Sequence, residues 1–208
     1  MNADLVLDRI ENMVDPHIAI WDDAFRILIT GILSTRTKDE VTDRASLRVF
    51  CLFPTAEKLS MSDPSTVEKL IKPVGFYKHK ARDIVETSRI IVDKYGGKVP
   101  DSMEDLLELP GVGRKVANIV LSEGVGKYGL AVDTHVQRIS YRLGLSRSEK
   151  PEETEKILKE KIPRRRWNEV NSYFVEFGKQ ICKPVTPLCG MCDLRTMCKY
   201  WREHENSS

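Results

Sequence analysis

The chain has 208 residues, 41% hydrophobic and 31% charged, with Gly 12 and Pro 10; this composition suits one ordinary domain or two small lobes and excludes fibrous, low-complexity and wholly disordered classes. A formal net charge of +2 is too small for the whole surface to act as a polycation, so a nucleic-acid site has to come from local clustering. No apolar run approaches the ~20 residues that span a bilayer, and Asp4, Asp8, Arg9 and Glu11 interrupt the N-terminus, which argues against a secretory signal and for a cytoplasmic protein.

Apolar residues recur at helical spacing throughout, and the alternation that marks strands persists nowhere, so the expected fold class is all-α. Val6, Ile10 and Met13 predict a helix over 4–14, and Phe25, Leu28, Ile29 and Ile32 one over 20–34. A third covers 39–50. Just beyond it Cys51 lies among Val49, Phe50, Leu52 and Phe53, the setting of an inert core thiol. Shorter helices follow over 55–60 and 65–71, the second announced by Asp63-Pro64-Ser65. Ala81, Ile84, Val85, Ser88, Ile91 and Val92 make one amphipathic helix over 78–95, stopped by Gly96-Gly97.

The segment from Asp101 to Leu121 reads as a capped helix, a break and a second helix. Asp101 with Glu104 has capping-box spacing, and Pro110 with Gly111 prevents continuation. In such a helix-hairpin-helix, Gly111 and Gly113 on either side of Val112 let amide N–H groups point outward where an anion is favoured. With Arg114 and Lys115 attached, the turn can hold a DNA phosphate through its backbone, positioning without reading sequence. The bland reading is a plain corner between helices. Lys115, beside Arg114 and at the positive end of the second helix, is a candidate Schiff-base nucleophile; its bland counterpart is a solvated surface lysine.

Eighteen residues later, Gly129-Leu-Ala-Val-Asp-Thr-His135 runs an apolar segment into Asp133, which caps a helix over 133–143 and is followed by His135. Capping and catalysis are compatible roles for that carboxylate. Helices over 152–162 and 166–181 complete the pattern, and residues 201–208 read as a flexible tail. From Arg164 to Arg202 eight basic residues face three acidic ones. Within that stretch Arg164 to Arg166 fit a phosphate contact or a solvated turn equally well. Cys182, Cys189, Cys192 and Cys198 are spaced C-x6-C-x2-C-x5-C, which in a chain with little use for disulfides signifies a metal centre. Only Cys189 and Cys192 form a short knuckle, and the C-x2-C-x2-C run of bacterial ferredoxins is absent, so zinc and iron-sulfur both stay open.

Taken together, LPGVGRKVA with Lys115, AVDTH with Asp133 and the cysteine cluster resemble the endonuclease III family of helix-hairpin-helix DNA glycosylases, in the family's order and over about residues 22–200. The resemblance implies a six-helix barrel over 18–131 and a second lobe, 1–17 with 132–200, around a [4Fe-4S] cluster held by the four late cysteines. DNA would lie across the two lobes. The implied activity is bifunctional: removal of oxidised pyrimidines through a Lys115 Schiff base assisted by Asp133, then strand cleavage by β-elimination. Relatives that only remove a base carry another residue at 115. The implied partner is double-stranded DNA with damaged pyrimidines or abasic sites, bound by a nucleoid-associated monomer, with Gly111, Val112, Gly113, Arg114 and His135 at the interface. Two further positions, which fill the gap left by an extruded base, fall on Arg36 in LSTRTKD and Phe76 in VGFYKHKA, where many relatives have Gln and Leu. A mismatch-specific thymine or uracil glycosylase and a non-catalytic zinc-stabilised DNA-binding module are the alternatives.

Overall fold

The computed structural model describes residues 2–16 and 20–205, and every regular element among them is helical, in agreement with the all-α expectation. In chain order these are α1 (Ala3–Glu11), α2 (Ala24–Ser34), α3 (Asp39–Leu52), α4 (Ala56–Ser60), α5 (Pro64–Ile71) and α6 (Tyr77–Tyr95). They continue as α7 (Met103–Leu107), α8 (Arg114–Ile119), α9 (Thr134–Leu143), α10 (Pro151–Lys161), α11 (Trp167–Gln180) and α12 (Lys199–Glu205). No helix among the described residues is long and apolar enough to cross a membrane. The chain divides into two compact units, Ala19–Gly129 and Met1–Ile18 with Leu130–Ser208; residue 18, where the first lobe was expected to begin, lies outside the described residues.

Helix starts follow their caps rather than the ends of the apolar stripes. α2 begins at Ala24, inside the expected 20–34, because the Asp23 carboxylate accepts from the Arg26 N–H at 2.9 Å. The hairpin cap is shifted by one residue from its expected place. Ser102 rather than Asp101 caps α7, its hydroxyl accepting from the Asp105 N–H at 3.1 Å and donating to the Asp105 carboxylate at 2.6 Å. Asp101 is instead drawn to Lys127, whose ammonium meets its carboxylate at 2.7 Å and its carbonyl at 2.8 Å.

In the unit Ala19–Gly129, α2 is apolar over most of its surface: Phe25, Ile27, Leu28, Ile29, Ile32 and Leu33 are buried. Such a helix has to be surrounded, and α3, α6 and α8 pack around it. Each fully buried Leu or Ile contributes roughly 1.5–3 kcal/mol, so this helix is the fixed post of the unit. α3 turns Ala45, Ser46, Val49 and Phe50 inward. Cys51, expected in the core, falls one helical step off that stripe and is exposed. α8 widens after Ile119 into a π-turn at Val120–Gly124.

The second unit packs α1, α9, α10 and α11 around Val136, Ile139, Leu158, Phe174 and Phe177. Its polar frame centres on Arg166, whose side chain is 11% exposed and bridges Asp4, Asp8, Glu11 and Glu169. That arginine is neither a phosphate contact nor part of a solvated turn; its guanidinium makes four hydrogen bonds to four carboxylates of α1 and α11. The tail expected over 201–208 is helical to Glu205 as part of α12, and 206–208 lie outside the described residues.

Candidate functional site

The hairpin of the first unit is assembled from the core outward. Leu106, Leu109, Val112 and Val116 are buried, and the Thr87 hydroxyl of α6 donates to the Pro110 carbonyl at 3.0 Å. Gly111 takes φ +76°, and a Cβ there would meet Ile32 at 2.9 Å and the Asp83 carboxylate at 3.1 Å; the turn therefore demands glycine twice over. Val112 anchors the turn, with its side chain in the core and its N–H donating to the Leu109 carbonyl at 3.1 Å. The outward backbone is that of Gly111 and Gly113, both exposed. A Cβ at Gly113 would meet nothing within 4 Å, and no side chain of this N-cap covers the start of α8. A start of this kind leaves N–H groups directed at an approaching anion.

Lys115 stands on the first turn of α8, half-buried, next to exposed Arg114. Among the described residues of its own unit, no hydrogen bond or ion pair holds its ammonium. An unengaged amine at a helix start is chemically available as a nucleophile.

On the same unit, Arg36 and Phe76 are the non-glycine residues with positive φ among the described ones, at +52° and +58°. Backbone in this region costs of order 1–3 kcal/mol per residue and persists only where surroundings enforce it. The two side chains lie together, the guanidinium 5.6 Å from the ring centroid. Phe76 is 61% exposed and so does not belong to the core. They line an open groove with Ile32, Lys80, Asp83 and Gly111, which brings three predicted interface residues to one surface. Lys80 and Asp83 were not foreseen. Lys80 is 5% exposed, and burial lowers its ammonium to about 8 against the opposing pull of Asp83; burial likewise raises the Asp83 carboxyl. The signal was a lysine standing in the apolar stripe of α6, one turn before Ile84.

In the second unit Asp133 caps α9. A single carboxylate oxygen accepts from the His135 and Val136 N–H groups, both at 2.9 Å. His135 turns its ring toward Arg138, 3.3 Å from that guanidinium, and into the space a side chain at Gly178 would fill. α9 also ties down the cysteine loop. Arg138 donates to the carbonyls of Gly178 (3.2 Å) and Cys182 (2.9 Å), and Arg142 to those of Lys183 (2.7 Å) and Pro184 (2.6 Å). Arg142 also lies over the Tyr200 ring at 4.6 Å. Sequence reasoning missed both arginines; their i, i+4 spacing on one face of α9 was the available sign.

Cys182, Cys189, Cys192 and Cys198 line one cavity with Arg142 and Tyr200. Among the described residues no set of three or more such groups already stands in metal-holding geometry. Burial and the neighbouring sulfurs push the Cys192 thiol up to about 11 and raise Cys189 and Cys198 as well. Four thiolates so placed repel one another unless a cation stands among them. The donor set fits an all-cysteine metal centre.

Residues 29–164 match the family described as HhH-GPD superfamily base excision DNA repair protein. The chain is 53% identical over 180 residues to endonuclease III of Thermotoga maritima, covering 86% of this chain and 84% of that one. It superimposes on a trapped endonuclease III–DNA covalent intermediate with a TM-score of 0.92 and 32% identity, over 99% of both chains. A thermostable thymine-DNA glycosylase gives a TM-score of 0.83 and 25% identity over 96% of both chains.

Proposed function

The chain belongs to the HhH-GPD superfamily of base excision DNA repair proteins, and from that membership we propose how its residues divide the work. It is a bifunctional DNA glycosylase with abasic-site lyase activity. The target is an oxidised pyrimidine in duplex DNA, extruded from the stack because chemistry on it is impossible inside the helix. The outward backbone of Gly111 and Gly113, with Arg114, holds a phosphate near the lesion. His135 supports the interface indirectly, its backbone N–H bonded to the Asp133 carboxylate and its ring set against Arg138. The enzyme works as a monomer on chromosomal DNA in the nucleoid.

Lys115 acts as the nucleophile. Its Nζ bonds to sugar C1′ while the glycosidic bond breaks, and the base departs with the bonding pair and gains a proton. The uncapped oxygen of Asp133 stabilises the cationic sugar and relays protons. The ring opens to a protonated imine, which acidifies C2′; loss of that proton expels the 3′ phosphate, and water hydrolyses the remaining imine to return the lysine. The observation that carries this reading is the unengaged Lys115 ammonium on the hairpin's second helix, immediately after the open backbone at Gly113.

Cys182, Cys189, Cys192 and Cys198 would hold a [4Fe-4S] cluster. When bound, it supplies the positive charge that lets four thiolates share one cavity and pins the loop between α11 and α12. Iron and sulfide analysis of the purified protein tests this, and zinc in their place overturns it. Borohydride treatment of the protein with duplex carrying an oxidised pyrimidine tests the enzymatic reading. A covalent complex is expected, and its absence while base is still released would assign base removal to water instead of Lys115.

A further inference from the structure

We propose that Lys80 is a positioning residue for base extrusion, holding Arg36 and Phe76 as a preformed pair without itself touching DNA; this rests on the reading of the protein as a duplex glycosylase. The Lys80 ammonium donates to the carbonyls of Leu33 (2.8 Å) and Thr35 (2.5 Å) and to the Thr37 hydroxyl (3.2 Å). Those acceptors bracket Arg36 on both sides. The same Thr37 hydroxyl accepts from the Gly75 N–H at 3.3 Å, so the anchor reaches the residue before Phe76. From the other side, the Lys80 N–H bonds to the Phe76 carbonyl at 3.1 Å. A Cβ at Gly75 would meet the Arg36 carbonyl at 2.8 Å, which shows how closely the two loops approach.

One buried ammonium thus gathers both loops whose backbones are held at positive φ. The consequence for function follows from the energetics of extrusion. A nucleotide that leaves the stack opens a gap, and an apolar wedge with a donor-rich partner can occupy it. Filling the gap with mobile side chains would cost ordering entropy at that moment; a pair already fixed avoids that cost. Lys80 is buried and its three donors are engaged, so its influence has to pass through Arg36 and Phe76.

The test compares two reactions of the whole protein: base release from duplex bearing an oxidised pyrimidine, and strand cleavage of single-stranded abasic DNA, which has no opposite strand to fill. Lys80→Met is expected to lower kcat/KM for the first by about tenfold and to leave the second within about twofold. Because losing a buried donor endangers the fold, Thr37→Val serves as the milder variant, with about a threefold loss on duplex only. When Arg36 and Phe76 are both replaced by Ala, Lys80→Met is expected to cost nothing further on duplex, since coupled residues are not additive. Equal losses on both substrates, or full additivity with the double alanine, would overturn the proposal in favour of a general structural role. A wild-type protein inert on both substrates would remove the enzymatic reading itself, and this proposal with it.

Discussion

The two units hold their candidate site residues in different ways. Lys115 stands on a hairpin fastened by apolar packing, with Leu106, Leu109, Val112 and Val116 buried beneath it. Asp133 stands on a helix whose surroundings are tied by charge: Arg138 and Arg142 lace the cysteine loop to α9, and Arg166 gathers four carboxylates from α1 and α11. Apolar packing needs neither a charged partner nor a metal. A frame of arginines and thiols depends on every charge being answered. The first unit is expected to be self-sufficient, and the second conditional.

The largest expected effect separates chemistry from framework. Lys115→Gln should abolish borohydride trapping and lower base release by at least about 10⁴-fold, with lesion-duplex affinity and thermal stability near wild type, because the core side chains of α8 are untouched. Trapping that persists in this variant would transfer the nucleophile elsewhere. Removing the proposed cluster from the cysteine loop of the second unit comes next. Chelation under reducing conditions should speed amide exchange across residues 182–198 by about 10²–10³-fold, while α2 and α6 keep their protection. Equal loss of protection in both units would erase the distinction between them.

Asp133→Asn probes the smaller chemical role. Asn caps a helix about as well as Asp, so α9 should keep its start while base release slows by about 10²-fold. Base release near the wild-type rate would show the carboxylate to be only a cap. For the frame itself, Arg166→Met leaves Asp4, Asp8, Glu11 and Glu169 facing one another. With three of those acids partly solvated, a loss of about 2 kcal/mol in urea unfolding is expected, and high salt should recover part of it. A loss unaffected by salt would point to packing rather than charge.

How much of this was legible in the sequence follows the same division. The α2 and α6 stripes, the Pro110-Gly111 break and the Asp133 cap are local patterns, and each maps onto an element directly. The Ser102 cap was misplaced by one residue because Asp101-x-x-Glu104 and Ser102-x-x-Asp105 have the same spacing, and only the distant Lys127 decides between them. Arg164 to Arg166 read as surface charge because the four acids that consume Arg166 come from residues about 155 to 162 positions earlier and from Glu169 three positions later. Cys51 was misread because apolar neighbours in sequence were taken as neighbours in space. The Lys80 anchor was only half legible: a lysine in the apolar stripe of α6 marks the position, but its acceptors are backbone carbonyls more than forty residues away, which no residue type announces.

Lys80 also gives the smallest predicted effect, one in which stability and activity move in opposite directions. Its folded-state value of about 8 lies below the ordinary lysine value of ~10.4. Below pH 8 folded and unfolded chains both hold the proton and the group contributes no slope. Between those two values the unfolded chain still binds a proton that the folded one has shed, so this group makes stability rise with pH. Over the same interval the neutral amine keeps two N–H donors for three acceptors, and the loop carrying Arg36 loosens. Base release from duplex should therefore fall by about twofold across that window, while cleavage of single-stranded abasic DNA follows only the groups common to both reactions. Asp83, His79 and Arg36 are the other ionisable groups lining the groove beside this ammonium, so Lys80→Met is the control. It should flatten the ratio of the two rates against pH, and a ratio that still falls in the variant would assign the dependence to one of those neighbours.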